Sequence, residues 1–137
     1  MLFGCKNKEL NIKIKDINKY GNVYLDSTFS YFNENNLEIG DIITIKIASN
    51  QYDMPICTEY SDVNSKMMVC RFDLEDNHIT LAINMGDFAS TTNLGTKEQI
   101  TDEPGYKWDI KQDTIKISLK EKKGYLDEYE ARHLVRT

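Results

Sequence analysis

"HITLAINMGDFAS", residues 78–90, begins as a strand and stops abruptly. Ile79, Leu81 and Ile83 alternate with His78, Thr80 and Ala82, which lays an apolar row along one face. The alternation breaks at Asn84-Met85-Gly86-Asp87, and Phe88-Ala89 follow. A buried strand that ends on Asn and Gly is either an ordinary terminus or a place where backbone is bared to a ligand.

Upstream, "KMMVCRF" (66–72) is a second strand, and "LEDN" (74–77) turns it into the first, so the two form a hairpin. Further strands follow the same logic. Leu10, Ile12, Ile14 and, less regularly, Ile17 alternate with polar residues, and Val23 and Leu25 follow the "YGN" turn at 20–22. "IITIKIA" (42–48) is β-branched, Pro55 in "YDMPI" marks an edge or a strand end, and "SDVNS" (61–65) is a loop. Ile115, Ile117 and Leu119 alternate with Thr114, Lys116, Ser118 and Lys120 in a last strand.

Helical signals are short. Asp26 or Ser27 can cap a helix that buries Phe29 and Phe32, and "GDFASTTNLG" (86–95) holds one turn or two. Residues 95–113 read as a surface excursion tied down by Trp108. In 124–137, Leu126, Tyr129 and His133 share helical spacing, with an extended edge strand as the alternative. Many short strands with few helices describe an all-β sandwich or small barrel. The 137 residues form one domain, 10–137, behind a tail at 1–9.

Composition narrows the function classes. The chain is 40% hydrophobic and 28% charged, with a net charge of -5, which disfavours a nucleic-acid backbone or an anionic membrane as partner. No apolar run approaches the ~20 residues of a membrane helix. The three cysteines, Cys5, Cys57 and Cys70, form no C-x-x-C and no Cys/His cluster, so zinc is not expected. His78 and His133 read as surface residues. There is no G-x-S-x-G, P-loop, G-x-G-x-x-G or H-E-x-x-H, and the adjacent acids Glu75-Asp76 and Asp127-Glu128 suit a solvated surface.

Leu2-Phe3-Gly4-Cys5 can be read two ways. It matches the end of a lipoprotein signal in which Cys5 is lipidated, without the charged and apolar regions such a signal needs, or it is a coincidence in a cytosolic chain. The first reading favours a lipid-anchored, extracytoplasmic protein and makes Cys57 and Cys70 a candidate disulfide pair.

Three polar punctuations remain: Tyr20-Gly21-Asn22, Tyr60-Ser61-Asp62 and Asn84-Met85-Gly86. In a small barrel such segments gather at a rim. An aromatic ring, a side-chain amide and bared backbone there suit a flat polar heterocycle such as adenine, while Tyr in a core and Asn-Gly at turns are the plain alternative.

In order and spacing, "KYGNVYLDSTF", "CTEYSDVNS" and "ITLAINMGDFA" resemble the C-terminal domain of the S-adenosyl-L-methionine hydroxide adenosyltransferases, relatives of the fluorinase and chlorinase, over residues 10–95. The resemblance implies a small Greek-key β-barrel with one or two short helices that supplies the adenine side of an S-adenosylmethionine site. Tyr20 and Asn22 stand at the aromatic and amide of the F-G-N motif, Tyr60 (with Asp62 in the same segment) at the ring that packs on adenine, and Asn84 and Met85 where backbone reads the base edge. The family's N-terminal half, which carries the residues that grip ribose and handle water, has no counterpart here. Leu74-Glu75-Asp76-Asn77 stands where the family places small or basic residues near the methionine carboxylate, and two anions there repel it. "LAINMGDFAST" and "SLKEKKGYLDEYE" also resemble modules of exported Firmicutes-type proteins that precede a tyrosine-phosphatase-like domain.

The expected function is a non-catalytic module that binds adenosine or a related nucleoside and requires no cofactor, with S-adenosylmethionine as the other candidate ligand. Two alternatives are a surface interaction module that kept the fold and lost the pocket, and an S-adenosylmethionine hydrolase completed by a partner chain or by a homo-oligomer, the family enzymes being trimers.

Overall fold

The apolar alternation of "IITIKI" and "TIKISL" is realised as two adjacent strands whose inward rows meet. The computed structural model describes residues 8–99 and 106–136. Its elements are β1 (Leu10–Ile17), β2 (Val23–Leu25), α1 (Phe29–Glu34), β3 (Ile42–Ile47), β4 (Asn50–Cys57), β5 (Met68–Asp73), β6 (His78–Ile83), α2 (Phe88–Thr91), β7 (Gly95–Gln99), β8 (Tyr106–Ile110), β9 (Thr114–Glu121) and α3 (Leu126–Arg136), with a 3-10 turn at Tyr60–Asp62. Seven strands close a barrel in the order β1-β2-β6-β5-β4-β3-β9, while β7 and β8 form a separate two-stranded sheet. The pairings are antiparallel except β4 with β5, which run parallel over Ile56–Cys57 against Cys70–Arg71. Pro55 sits where β4 passes from pairing with β3 to pairing with β5, so its missing N–H disrupts neither ladder. Closure leaves none of the seven strands with a bare edge along its full length.

Ile43, Ile45, Ile47, Leu81, Ile79, Leu25, Phe72, Ile115 and Ile117 fill the barrel and are essentially inaccessible. Burying each such side chain contributes about 1.5–3 kcal/mol. Phe72 meets Phe29 and Phe32 of α1, with ring centroids 5.9 and 5.8 Å away, so the short helix is held by its aromatic face. Its cap is Thr28, which accepts from the Tyr31 N–H, and neither Asp26 nor Ser27 takes that role.

A second, smaller core lies on the outside of the barrel wall. Val69 and Ala82, outward by alternation on β5 and β6, are covered with Cys57 and Val63 by Tyr60, Tyr125 and Tyr129. This explains why β6 is buried on both faces from Ile79 to Ile83. It also separates the two cysteines. Ile56 is the register partner of Cys70, so Cys57 points the opposite way, and Cys70 joins the barrel core while Cys57 joins the outer cluster. Both are buried thiols, and no disulfide joins them. Burial pushes the Cys70 thiol well up.

Two expectations gain detail from the structure. Within 95–113, read as a surface excursion, Gly95–Gln99 and Tyr106–Ile110 are paired antiparallel strands, Gly95 opposite Ile110 and Gln99 opposite Tyr106. The C-terminal segment is a helix, so with α1 and α2 the described residues hold three helices rather than one or two. Cys5 and the first seven residues of the tail lie outside the described residues. No helix is long and apolar enough to cross a membrane, among the described residues.

Candidate functional site

The loop into β2 is built on Asn18. Its Oδ1 accepts the N–H of Tyr20 at 2.9 Å and of Asn22 at 3.0 Å, and its backbone bonds both Gly21 and Asn22. Gly21 has φ +85°, and a Cβ there would lie 1.8 Å from Asp87 Oδ1. Asp87 is fixed because it caps α2, accepting from the Ser90 N–H and hydroxyl. From outside the barrel, Trp108 Nε1 donates to the Asn18 carbonyl at 2.9 Å and Lys97 Nζ to the Lys19 carbonyl at 2.9 Å. The expectation that Trp108 ties down its segment is met by that bond.

The end of β6 is tied from the other side. The Asn84 N–H donates to Met67 O, its C=O accepts from the Lys66 N–H, and its side-chain amide donates to Val63 O at 2.9 Å. Met85 then adopts φ 62°, a conformation a non-glycine residue rarely takes, and its side chain is 76% exposed. The Gly86 N–H closes back on Ile83 O. The Met85 N–H carries no hydrogen bond within the described structure.

Tyr60 comes from the 3-10 turn, which is held by a capping box between Glu59 and Asp62. The Asp62 carboxylate is fully buried and accepts the N–H of Thr58 at 3.2 Å and of Glu59 at 3.0 Å. Burial raises the Tyr60 phenol above its ordinary value.

These segments meet at one rim of the barrel. Tyr20, Asn22, Tyr60, Asn84 and Met85 line a cavity of about 510 Å³ together with Ile83, Gly86 and Asp87. Tyr20 and Tyr60 do not stack on each other: Lys19 lies over the Tyr20 ring and Arg71 over the Tyr60 ring. The Asn22 side-chain amide has no partner within the described structure. Asp62, singled out with them, does not reach the cavity; its carboxylate points into the protein to hold the turn. Asn84 lines the cavity, but its backbone groups are committed to Lys66 and Met67, and the neighbouring Met85 N–H is a backbone donor there that remains without a partner among the described residues.

Tyr60 also walls a second cleft of about 420 Å³ beside β1, β2, β6 and β5, lined by Lys15, Asp16, Tyr24, Leu25, Arg71, Asp73, Asp76 and His78. Alternation marks several of these as outward, but nothing local says that residues of four strands share a cleft. Burial alone would raise the Asp73 carboxyl; the N–H of Asp76, then Arg71, His78 and the N–H of Glu75, outweigh it and hold it below its ordinary range. Arg71 stands 3.5 Å and His78 3.6 Å from Asp73. His78 is therefore half-buried against Asp73 and edge-on to Tyr24 at 5.8 Å, and His133 reaches Asp62 at 3.1 Å, so neither is a plain surface residue. Asp73, Asp76 and His78 bring donor atoms within 4.8 Å of one another, with the Arg71 guanidinium already supplying positive charge beside them.

Residues 11–101 match the SAM hydroxide adenosyltransferase C-terminal domain. No curated protein matches the chain. Among solved structures it is similar to an uncharacterized conserved protein from Thermotoga maritima, with TM-score 0.63 and 15% identity over 85% of this chain. The chain spans 40% of that protein's length. A conserved hypothetical protein from Thermus thermophilus aligns at TM-score 0.47 and 10% identity, covering 80% of this chain and 34% of its own. The Thermotoga likeness establishes a shared fold.

Proposed function

We propose, for a chain that belongs to the SAM hydroxide adenosyltransferase C-terminal domain family, that the rim cavity binds the base of adenosine or a related nucleoside. One observation carries this reading. The Asn22 amide and the Met85 N–H, both without intramolecular partners among the described residues, border the same cavity as the rings of Tyr20 and Tyr60. A side-chain amide offers a donor and an acceptor, and an adjacent N–H offers a second donor, which together match the edge of an aminopurine; the rings supply its faces. The role assigned is recognition, because none of the rim side chains forms a nucleophile–base pair. S-adenosylmethionine is the weaker ligand: Asp76 lines the neighbouring cleft and repels a carboxylate arriving there. Lipid anchoring through Cys5, export and a phosphatase-like neighbouring domain belong to the same proposal and rest on sequence resemblance alone, whereas a partner or second copy that completes a hydrolase is an alternative to it.

Calorimetric titration with adenosine and S-adenosylmethionine, side by side, tests the reading. Adenosine is expected to bind in the micromolar range and S-adenosylmethionine less tightly. Asn22→Ala and Tyr60→Ala should each weaken adenosine about tenfold or more while the fold survives. Silence for both ligands at millimolar concentration would overturn it in favour of an interaction module that has lost the ligand.

A further inference from the structure

Tyr60 reaches the rim cavity from a segment that a distant part of the chain holds in place. A 3-10 turn of three residues, Tyr60–Asp62, is too short to fix a side chain by its own backbone bonds. Its capping box depends on the Asp62 carboxylate, which is fully buried. A carboxylate out of water is stable only where its surroundings supply donors. The N–H groups of Thr58 and Glu59 bond it, and His133 of α3 stands 3.1 Å away.

Further supports come from the same helix. Tyr125, just before α3, donates its hydroxyl to Asp62 O at 2.6 Å. Arg132 donates to Ser61 O at 3.3 Å and to Asn64 Oδ1 at 2.7 Å. The hydroxyls of Tyr129 and Thr58 bond at 2.9 Å. Residues on both sides of Tyr60 are thus bonded to the C-terminal segment, while Tyr60 itself lines the cavity. The helix has an anchor outside the turn, because the Tyr125 N–H donates to Gly40 O at 2.8 Å. The held segment continues to the strand end beside Met85, where Asn84 Nδ2 donates to Val63 O at 2.9 Å. Asn22, by contrast, is placed by Asn18, whose Oδ1 accepts its N–H at 3.0 Å.

We infer that α3 sets the affinity of the rim cavity for its ligand, with Tyr125, Arg132 and His133 as positioning residues that hold the Tyr60 ring where the base would meet it. This rests on the rim reading of the preceding subsection. A ring already held loses less freedom on binding, so a loosened turn weakens affinity without removing a contact. The helix lies beyond residues 11–101, so this control comes from a part of the chain outside the family match.

The test is a nuclear magnetic resonance titration of the full chain with adenosine, arranged as a double-mutant cycle. Tyr125→Phe removes only the hydroxyl that bonds Asp62 O, and Arg132→Ala removes a partly exposed side chain. Each should weaken adenosine about three- to tenfold. In a Tyr60→Ala background the same changes should cost less than about twofold, because the ring they position is gone. In an Asn22→Ala background the full loss should return, because Asn22 is held from elsewhere. Should Arg132→Ala fail to fold, Tyr125→Phe, which keeps its ring in the outer core, carries the same test. An equal loss with and without Tyr60, or no loss in Tyr125→Phe and Arg132→Ala, overturns the positioning role and leaves the rim reading standing. No binding of adenosine to the unaltered chain overturns both.

Discussion

His133 Nε2, on α3, stands 3.1 Å from the carboxylate of Asp62, a fully buried residue 71 positions earlier in the chain. Around that contact, Tyr125 donates its hydroxyl to Asp62 O at 2.6 Å, and the hydroxyls of Tyr129 and Thr58 bond at 2.9 Å. Arg132 reaches Asn64 Oδ1 at 2.7 Å. The C-terminal helix, which lies beyond the residues matched to the family, thus clamps the turn that carries Tyr60. Asp62→Ala removes the acceptor shared by the Thr58 and Glu59 N–H groups and is expected to cost about 3 kcal/mol; His133→Ala should cost about 1–2 kcal/mol. Urea denaturation of the two variants measures both. An unchanged midpoint for Asp62→Ala would show that the turn holds without its buried carboxylate.

Gly21 is the least replaceable residue of the rim. Its φ of +85° disfavours any side chain, and a Cβ there collides with the carboxylate that caps α2. Gly21→Ala is expected to destabilise the domain by about 2 kcal/mol or more, because Asp87 must abandon its cap as the backbone strains. Comparison with Asp87→Ala separates the two contributions: that variant alone should cost about 1 kcal/mol, the usual worth of a cap.

The β7–β8 hairpin acts on the rim through Trp108. Replacing Trp108 with Phe removes the indole N–H that bonds the Asn18 carbonyl while retaining an aromatic ring. Amide exchange in residues 18–22 should quicken about five- to tenfold, the loss of one partly buried hydrogen bond, with exchange in β3 and β9 unaltered. Equal acceleration throughout the barrel would mean that Trp108 supports the fold at large rather than this loop.

Asp73 sets a pH dependence whose sign follows from its depressed carboxyl. A carboxyl held lower in the folded state contributes stability above its unfolded value near 4, and that contribution disappears as pH falls through the folded value. Asp73→Asn should therefore lower the melting temperature at pH 7, by an amount corresponding to about 1 kcal/mol or less for this partly accessible group. The gap to the wild-type chain should narrow as pH drops below about 4. A gap that stays constant from pH 7 to pH 3 would assign the effect to something other than the charge of Asp73.

Alternation along β3, β6 and β9 was enough to read an all-β fold with its inward rows, since a period of two is set within each strand and needs no partner. The rim was legible for the same reason: Tyr20, Asn22, Tyr60, Asn84 and Met85 all flank strand ends, and strand ends of a small barrel converge. What covers an outward face is a different matter. Thr80 and Ala82 alternate as solvent-facing residues should, yet both are buried, because Tyr60 and the distant Tyr125 and Tyr129 fold over that wall. Asp62 reads as a residue of the candidate rim site and is a buried acceptor that holds its turn; residues 124–137 fit a helix or a strand until the outer wall offers Tyr125 and Tyr129 a surface to bury against. Local sequence determined the period, the punctuation and the face of each strand in this protein. Tertiary structure alone decided which outward residues meet water, a clamp or a cleft, because burial and hydrogen-bond satisfaction depend on partners tens of residues away.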